Sequence, residues 1–172
     1  LYYENKLATR KAKIYESNGE VWHRTGDVGY FDDQGRIWFC GRKAHMCNSG
    51  DETYYSVKVE YCFSGLAGIN RVALVNISLH GQKVLALCIE PTQRFMSPTA
   101  RRTIVTDIVQ VARRYRIPLR VIAFHARQFP VDKRHHAKIE RHLLAKWVQD
   151  SLTRLRCNWA IYHVSMTNIA AR

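Results

Sequence analysis

Apolar and polar positions follow one pattern before Arg42 and another after it. In the first stretch, Ala8 to Ile14 has helix-forming character. The Asn18-Gly19 pair then punctuates the chain before Val21 and Trp22 resume an apolar run. Two β-prone runs follow, Val28 to Phe31 and Arg36 to Cys40, separated by Asp32-Asp33-Gln34-Gly35, which predicts a hairpin. An isolated hairpin is marginal in water, so one helix and one hairpin in about 40 residues are expected to pack on a sheet supplied from elsewhere.

Beyond Arg42, strands and helices alternate. Thr53 to Tyr55 reads as a short strand, and Ser56 as the cap of a helix over Val57 to Phe63. The apolar runs Arg71 to Ile77 and Val84 to Glu90, joined by His80-Gly81-Gln82, predict a second hairpin. Ala100 to Arg116 predicts a longer helix with Ile104, Ile108, Val111, Ala112 and Tyr115 on one face, ended by Pro118. Leu119 to Phe124 then predicts a strand, Gln128 to His136 a polar loop, and Ile139 to Leu152 a helix turning Leu143, Leu144, Trp147 and Val148 inward. These elements make a compact α+β domain of about 110 residues. From Thr153 onward Cys157, Trp159, Ile161, Tyr162 and Val164 show neither alternation nor caps, and no element is assigned to them. The expected division is therefore 1–42, 43–152 and an unassigned tail over 153–172.

Composition narrows the class. A chain of 172 residues that is 47% hydrophobic and 24% charged is globular, with one domain or one plus a fragment as the expectation. No run approaches the roughly 20 apolar residues of a membrane span, and the opening residues lack the apolar stretch of a signal peptide, so a cytoplasmic setting is expected. Cys40, Cys47, Cys62, Cys88 and Cys157 are scattered and never in CxxC spacing, which reads as reduced, packed thiols. The formal net charge of +13 favours polyanionic or phosphate ligands. It is concentrated in Arg101, Arg102, Arg113, Arg114, Arg116, Arg120 and Arg127, then Lys133, Arg134, Lys138 and Arg141. No RNA-binding aromatic signature, zinc finger or leucine zipper accompanies it, so nucleic acid is not an expected partner. A solvated basic face and a phosphate-facing role both remain open.

Three short signals carry candidate chemistry: Thr25-Gly26-Asp27, Gly41-Arg42, and Ala137-Lys138-Ile139 followed by Arg141. Singly, each has a plain reading as a turn former, a surface cation or a solvated lysine. The His135-His136 pair has no carboxylate or cysteine at ligand spacing, and no metal site is expected.

In their order and with the surrounding text, these signals resemble the C-terminal third of the adenylate-forming superfamily, the AMP-binding enzymes that include acyl-CoA synthetases, luciferases and peptide-synthetase adenylation domains. The likeness runs from LYYENKLATRKAKI to about Leu152, and WHRTGDVGY, IWFCGRKAH and FPVDKRHHAKIER look most like the olefin-biosynthesis branch, the β-lactone synthetases. The resemblance implies that Asp27 binds the ribose hydroxyls of ATP and that Arg42 reaches the nucleotide. It likewise implies that Lys43, Ala44 and His45 form a hinge between a large and a small domain, and that Lys138 enters the active site for adenylation. It implies a fold in which a small α+β lid domain follows a hairpin fragment of the large domain. ATP with Mg2+ would be the cofactor, held largely by the large domain, and a fatty-acid-type carboxylate the substrate.

Departures refine the expectation. Ala44-His45 stands where the family usually has Asp or Lys two residues after the arginine, and Ala137 where it has Gly. The glycine-rich stretch that borders the thioester-forming site in CoA ligases is replaced by CNSGDETYYSVKVE, so CoA is possible as a partner but not favoured. The family's phosphate loop and acyl pocket have no counterpart here, so a portion of a longer ligase is expected, inactive without its large domain. The alternatives are a fatty-acyl-CoA synthetase portion and a basic binding module without catalysis.

Overall fold

The computed structural model describes residues 5–132, 138–153 and 160–165. They fall into two compact units, Leu1–Ala44 and His45–Arg172.

In the first unit, α1 (Lys6–Ala12) starts where the Asn5 side chain accepts the Ala8 N–H at 2.8 Å, and Arg10 and Lys11 complement the dipole of its last turn. The helix predicted to run to Ile14 stops at Ala12. Lys13–Tyr15 instead forms β1, antiparallel to β2 (Val21–His23), because β-branched Ile14 and aromatic Tyr15 pair with Trp22 and Val21. The hairpin predicted from Val28 to Cys40 is present as β3 (Asp27–Phe31) and β4 (Ile37–Arg42). Asp32 builds its turn. It accepts the backbone N–H groups of Gln34 and Arg36, both at 3.0 Å, and the Trp38 indole N–H at 2.7 Å. Gly29 fits the ladder only without a side chain, since a Cβ there would lie 2.8 Å from the Trp38 carbonyl oxygen. Only Thr9, Cys40 and Gly41 are buried among the described residues of this unit, while Phe31 and Ile37 are 70% and 72% exposed. Four short strands and one helix thus leave most of their apolar surface uncovered.

The second unit is built on one sheet. A small hairpin, β5 (Cys47–Ser49) and β6 (Glu52–Tyr54), leads into α2 (Ser56–Phe63). The long strands β7 (Ile69–Leu79) and β8 (Gln82–Pro91) pair antiparallel. Their two-residue turn, His80-Gly81, has positive φ at both positions (51° and 78°), the turn geometry that matches strand twist and that glycine makes accessible. Helix α3 (Pro98–Arg114) crosses over to β9 (Leu119–Phe124), parallel to β8. After α4 (Arg141–Thr153), β10 (Ile161–His163) pairs antiparallel with β9, giving the order β10-β9-β8-β7.

Both faces of this sheet are covered. Leu85, Leu87 and Ile89 of β8 pack with Val59 and Phe63 of α2 and Ile104 and Ile108 of α3. The intervening Val84, Ala86 and Cys88 face Leu144 and Val148 of α4. The period-two alternation therefore sorts larger side chains to the two-helix face and smaller ones to the α4 face.

Two local expectations need correction. Ser56 does not cap α2: the cap position is Tyr55, no side-chain bond is made there, and the buried Ser56 hydroxyl has no hydrogen-bond partner. Leu143, expected to face inward, is 41% exposed, because the buried stripe of α4 consists of Leu144 and Val148, four apart. The tail left unassigned by sequence supplies β10. Among the described residues, no helix is long and apolar enough to cross a membrane.

Candidate functional site

Asp27 opens β3 and Arg42 closes β4, and the ladder register sets them directly opposite each other. Arg42 Nε lies 2.9 Å from Asp27 Oδ1 in an ion pair, and its Nη1 donates to the Thr25 carbonyl at 2.7 Å. The Thr25 hydroxyl accepts the Asp27 N–H at 3.2 Å, and the Lys43 N–H donates to the Gly26 carbonyl at 2.8 Å. Thr25-Gly26-Asp27 and Gly41-Arg42-Lys43 are thus sewn into one mouth. The ion pair is half-exposed, so it adds little stability, about 0.2–1 kcal/mol by analogy with surface pairs. Its effect is orientation. One carboxylate oxygen of Asp27 is held by Arg42, while Oδ2 has no partner among the described residues and keeps its acceptor capacity. Two acceptor atoms on a fixed carboxylate suit paired hydroxyl donors. Lys43–His45 forms a single 3-10 turn after β4, where one unit gives way to the other.

Lys138 belongs to the second unit and is exposed. The segment around it is tied back on the loop after β9. Val131 bridges Ile139, the Asp132 N–H donates to the Lys138 carbonyl at 2.9 Å, and the Glu140 N–H donates to the Pro130 carbonyl at 2.8 Å. Lys133, Arg134, His135, His136 and Ala137 lie outside the described residues, as do Cys157 and Trp159. The structure therefore unites Asp27 with Arg42, and places Lys138 three residues before α4 in the other unit.

Sequence reasoning missed what holds that segment. Arg141, counted among the basic-face residues, is not solvated: its side chain and that of Glu60 are each 14% exposed and pair with each other. Both guanidinium Nη atoms donate to the Glu60 carboxylate, Nη2 to Oε2 at 3.0 Å. Glu60 also accepts the Leu74 N–H at 2.6 Å, and Arg141 Nη1 reaches the Leu74 carbonyl at 3.5 Å. Glu60 comes from α2 on one face of the sheet and Arg141 from α4 on the other. They meet around the outer edge of β7 and satisfy a peptide group that would otherwise be unpaired. Burial pushes the Glu60 carboxyl above its usual value, and Arg141 pulls against that. One signal could have revealed the pair: a cation at the first position of α4 opposes the helix dipole and so needs a local counter-charge.

The described thiols fit the reading from sequence. Cys40, Cys47 and Cys88 are buried, Cys62 is partly buried, and all four are free. Burial pushes Cys47 up to about 11 and Cys88 up to about 12, which keeps them protonated and unreactive. Among the described residues, no group of three or more His, Cys, Asp or Glu side chains could hold a metal ion.

No protein-family profile matches the chain. Individual proteins do. The chain is 39% identical over 156 residues to the olefin beta-lactone synthetase of Stenotrophomonas maltophilia (strain K279a), covering 88% of this chain and 28% of that protein. It is 40% identical over 151 residues to the olefin beta-lactone synthetase of Xanthomonas campestris pv. campestris, 85% of this chain and 27% of the relative. A long-chain-fatty-acid–CoA ligase of Mycobacterium tuberculosis is 30% identical over 121 residues, 70% of this chain and 23% of its own length. The chain thus spans 23–28% of the length of these relatives. Among solved structures, the anthranilate CoA ligase AuaEII in complex with anthranoyl-AMP superposes with a TM-score of 0.65 at 19% identity, over 78% of this chain and 26% of that one. The O-succinylbenzoate coenzyme A synthetase of Bacillus subtilis, in complex with AMP, gives 0.62 at 19% identity, over 83% of this chain and 27% of that one. By sequence and by fold, this chain belongs with the adenylate-forming enzymes, as the counterpart of their C-terminal portion.

Proposed function

We propose that this chain is the C-terminal portion of an ATP-dependent, AMP-forming acid ligase that activates a long-chain β-hydroxy fatty acid, with a β-lactone as the product. The observation carrying this reading is the identity of 39% and 40% with two olefin beta-lactone synthetases over 156 and 151 residues, a match too long to fall within either unit alone. The oriented carboxylate at the mouth of β3 and β4 and the exposed lysine before α4 are chemically suited to it.

In the first step, a carboxylate oxygen of the substrate attacks the α-phosphorus of ATP, and the bond to the β-phosphate breaks to release pyrophosphate. Asp27 accepts hydrogen bonds from the ribose hydroxyls, Arg42 holds Asp27 and approaches the nucleotide, and the Lys138 ammonium balances charge gathering on the reacting phosphate. In the second step, the substrate's own β-hydroxyl oxygen attacks the activated acyl carbon. The four-membered lactone closes, AMP leaves, and the hydroxyl proton passes to solvent. Lys43, Ala44 and His45 would let the unit carrying Lys138 approach and withdraw. Mg2+ would arrive with the nucleotide and lend charge neutralisation. It has no ligand set among the described residues.

The test joins this chain to the N-terminal region of one of its β-lactone synthetase relatives and supplies ATP with a long-chain β-hydroxy acid. AMP and lactone formed without CoA support the proposal; strict dependence on CoA would replace it with acyl-CoA formation. Lys138→Ala should lower the adenylation rate with little change in ATP affinity, whereas Asp27→Asn should chiefly weaken ATP binding.

A further inference from the structure

Two cavities open side by side at the end of β8. One, of about 520 Å³, is lined by polar groups that include Arg94 and Arg127. The other, of about 420 Å³, is walled by Phe95, Met96 and Phe124. Both have Pro91, Arg94, His125 and Ala126 in their lining, so they form one cleft with a polar and an apolar arm. Each volume falls within the roughly 300–1,000 Å³ of small-molecule sites.

The polar arm is cationic despite the carboxylate in its wall. Glu90 is 3% exposed and committed to internal partners: Arg71 Nη2 at 2.7 Å, Arg71 Nε at 3.1 Å, the Asn70 amide and the Phe129 N–H. Arg71 neutralises it on site. Arg94 and Arg127, by contrast, are exposed, and neither is paired with a carboxylate among the described residues. His125 stands between the two arms and is held rigidly. Its Nδ1 donates to the Arg127 carbonyl at 2.7 Å, and its ring packs edge-on to Trp147 at 4.8 Å and Phe129 at 5.8 Å. That bond also fixes the backbone from which the Arg127 side chain projects. On the apolar side, Phe95 is 86% exposed, with the Arg94 guanidinium 5.4 Å from its ring centroid. Guanidinium and apolar wall are thus presented together at one entrance.

We propose that this cleft binds a single-chain amphiphile with an anionic head, its carboxylate or phosphate held between Arg94 and Arg127 and its aliphatic tail laid along Phe95, Met96 and Phe124. Guanidinium groups recognise such heads through charge-assisted, bidentate hydrogen bonds, while the tail gains from leaving water. The proposal does not rest on the ligase reading, and it concerns a site formed wholly within the second unit.

The test is calorimetric titration of the whole 172-residue chain with sodium laurate and with dodecyl phosphate, both below their micelle concentrations. Inorganic phosphate and decanol serve as head-only and tail-only probes, and phosphatidylglycerol vesicles as the membrane source of the same head chemistry. Saturable one-to-one binding of laurate or dodecyl phosphate is expected, at least tenfold weaker for either tail-only or head-only probe. Arg94→Ala with Arg127→Ala should weaken it at least tenfold, and Phe95→Ser should weaken it with either head group. All three side chains are exposed, so these variants should keep the wild-type circular dichroism spectrum. Absence of saturable binding, or binding unchanged in the variants, would overturn the proposal. So would salt-sensitive vesicle binding without any uptake of the free amphiphiles, which would assign the basic charge to a membrane-facing surface.

Discussion

Replacing Arg141 with leucine tests the clamp that holds the Lys138 segment. The Glu60 and Arg141 side chains are each 14% exposed, and both guanidinium Nη atoms donate to the carboxylate. Removing one partner of a buried pair costs about 3–5 kcal/mol, and residual exposure puts this pair near the lower end, at about 3 kcal/mol. Glu60 would be left with the Leu74 N–H alone. Burial already raises its pKa, and Arg141 is the first influence opposing that rise, so the variant's carboxyl must be raised further. A carboxyl whose folded pKa exceeds its unfolded value contributes most below the unfolded pKa of about 4.3, and that contribution fades as pH climbs through the folded value. The deficit of Arg141→Leu relative to wild type should therefore be small near pH 4 and grow toward neutrality. Glu60→Met should likewise cost about 3 kcal/mol at pH 7, since it strands the guanidinium. The double variant leaves no buried charge and should cost no more than either single change, giving a coupling of about 3 kcal/mol. Urea unfolding followed by far-ultraviolet circular dichroism at pH 4 and pH 7 measures all four proteins. Additive single costs, or a deficit indifferent to pH, would refute the buried clamp.

Other expectations concern single groups. Asp32 is held down to about 2 by the Trp38 indole, the Arg36 side chain and two backbone N–H groups, so a carboxyl-detected NMR titration should find it ionised until strongly acid pH. Because its folded pKa lies below the unfolded one, the turn's support is present at neutral pH and is lost as pH falls toward 2. Gly29→Ala should destabilise the β3–β4 hairpin by about 1–3 kcal/mol, as a Cβ 2.8 Å from the Trp38 carbonyl oxygen forces the strands apart. Hydrogen exchange at Trp38 and Phe39 should accelerate while β7 and β8 amides stay protected. Cys88 and Cys47 should resist iodoacetamide in the native chain at pH 8, and react once urea unfolds it, as read by peptide mass mapping.

Elements with long apolar runs or a helical stripe were legible in the sequence. The β7–β8 hairpin, α3 and β9 all announce themselves through unbroken apolar runs or a helical stripe, and Leu119–Phe124 matches its predicted bounds. Three-residue strands carry far less signal: β6 lies one residue from its predicted place, but others went unread. Lys13–Tyr15 and Ile161–His163 become strands only because a partner lies alongside, and β10 finds its partner some 40 residues earlier in the chain. The order of Asp27, Arg42 and Lys138 could be read from motifs, but the cross-strand ion pair required the register. Glu60 and Arg141 were invisible for a related reason: they are 81 positions apart, and only the sheet edge between them makes them neighbours.

The late strand β10 also bears on where this module can be cut and grafted. Its flanks close the ladder, with the Phe124 N–H on the Ala160 carbonyl at 2.8 Å and the Val164 N–H on the Arg120 carbonyl at 2.9 Å. A chimera that stopped after α4, the last long element, would leave β9 as a bare margin whose side chains are nearly all buried. Such a margin is a template for pairing between molecules. Transplants of this unit onto another ligase body should therefore carry the sequence through Val164, and a shorter graft would fail by self-association before its chemistry could be judged.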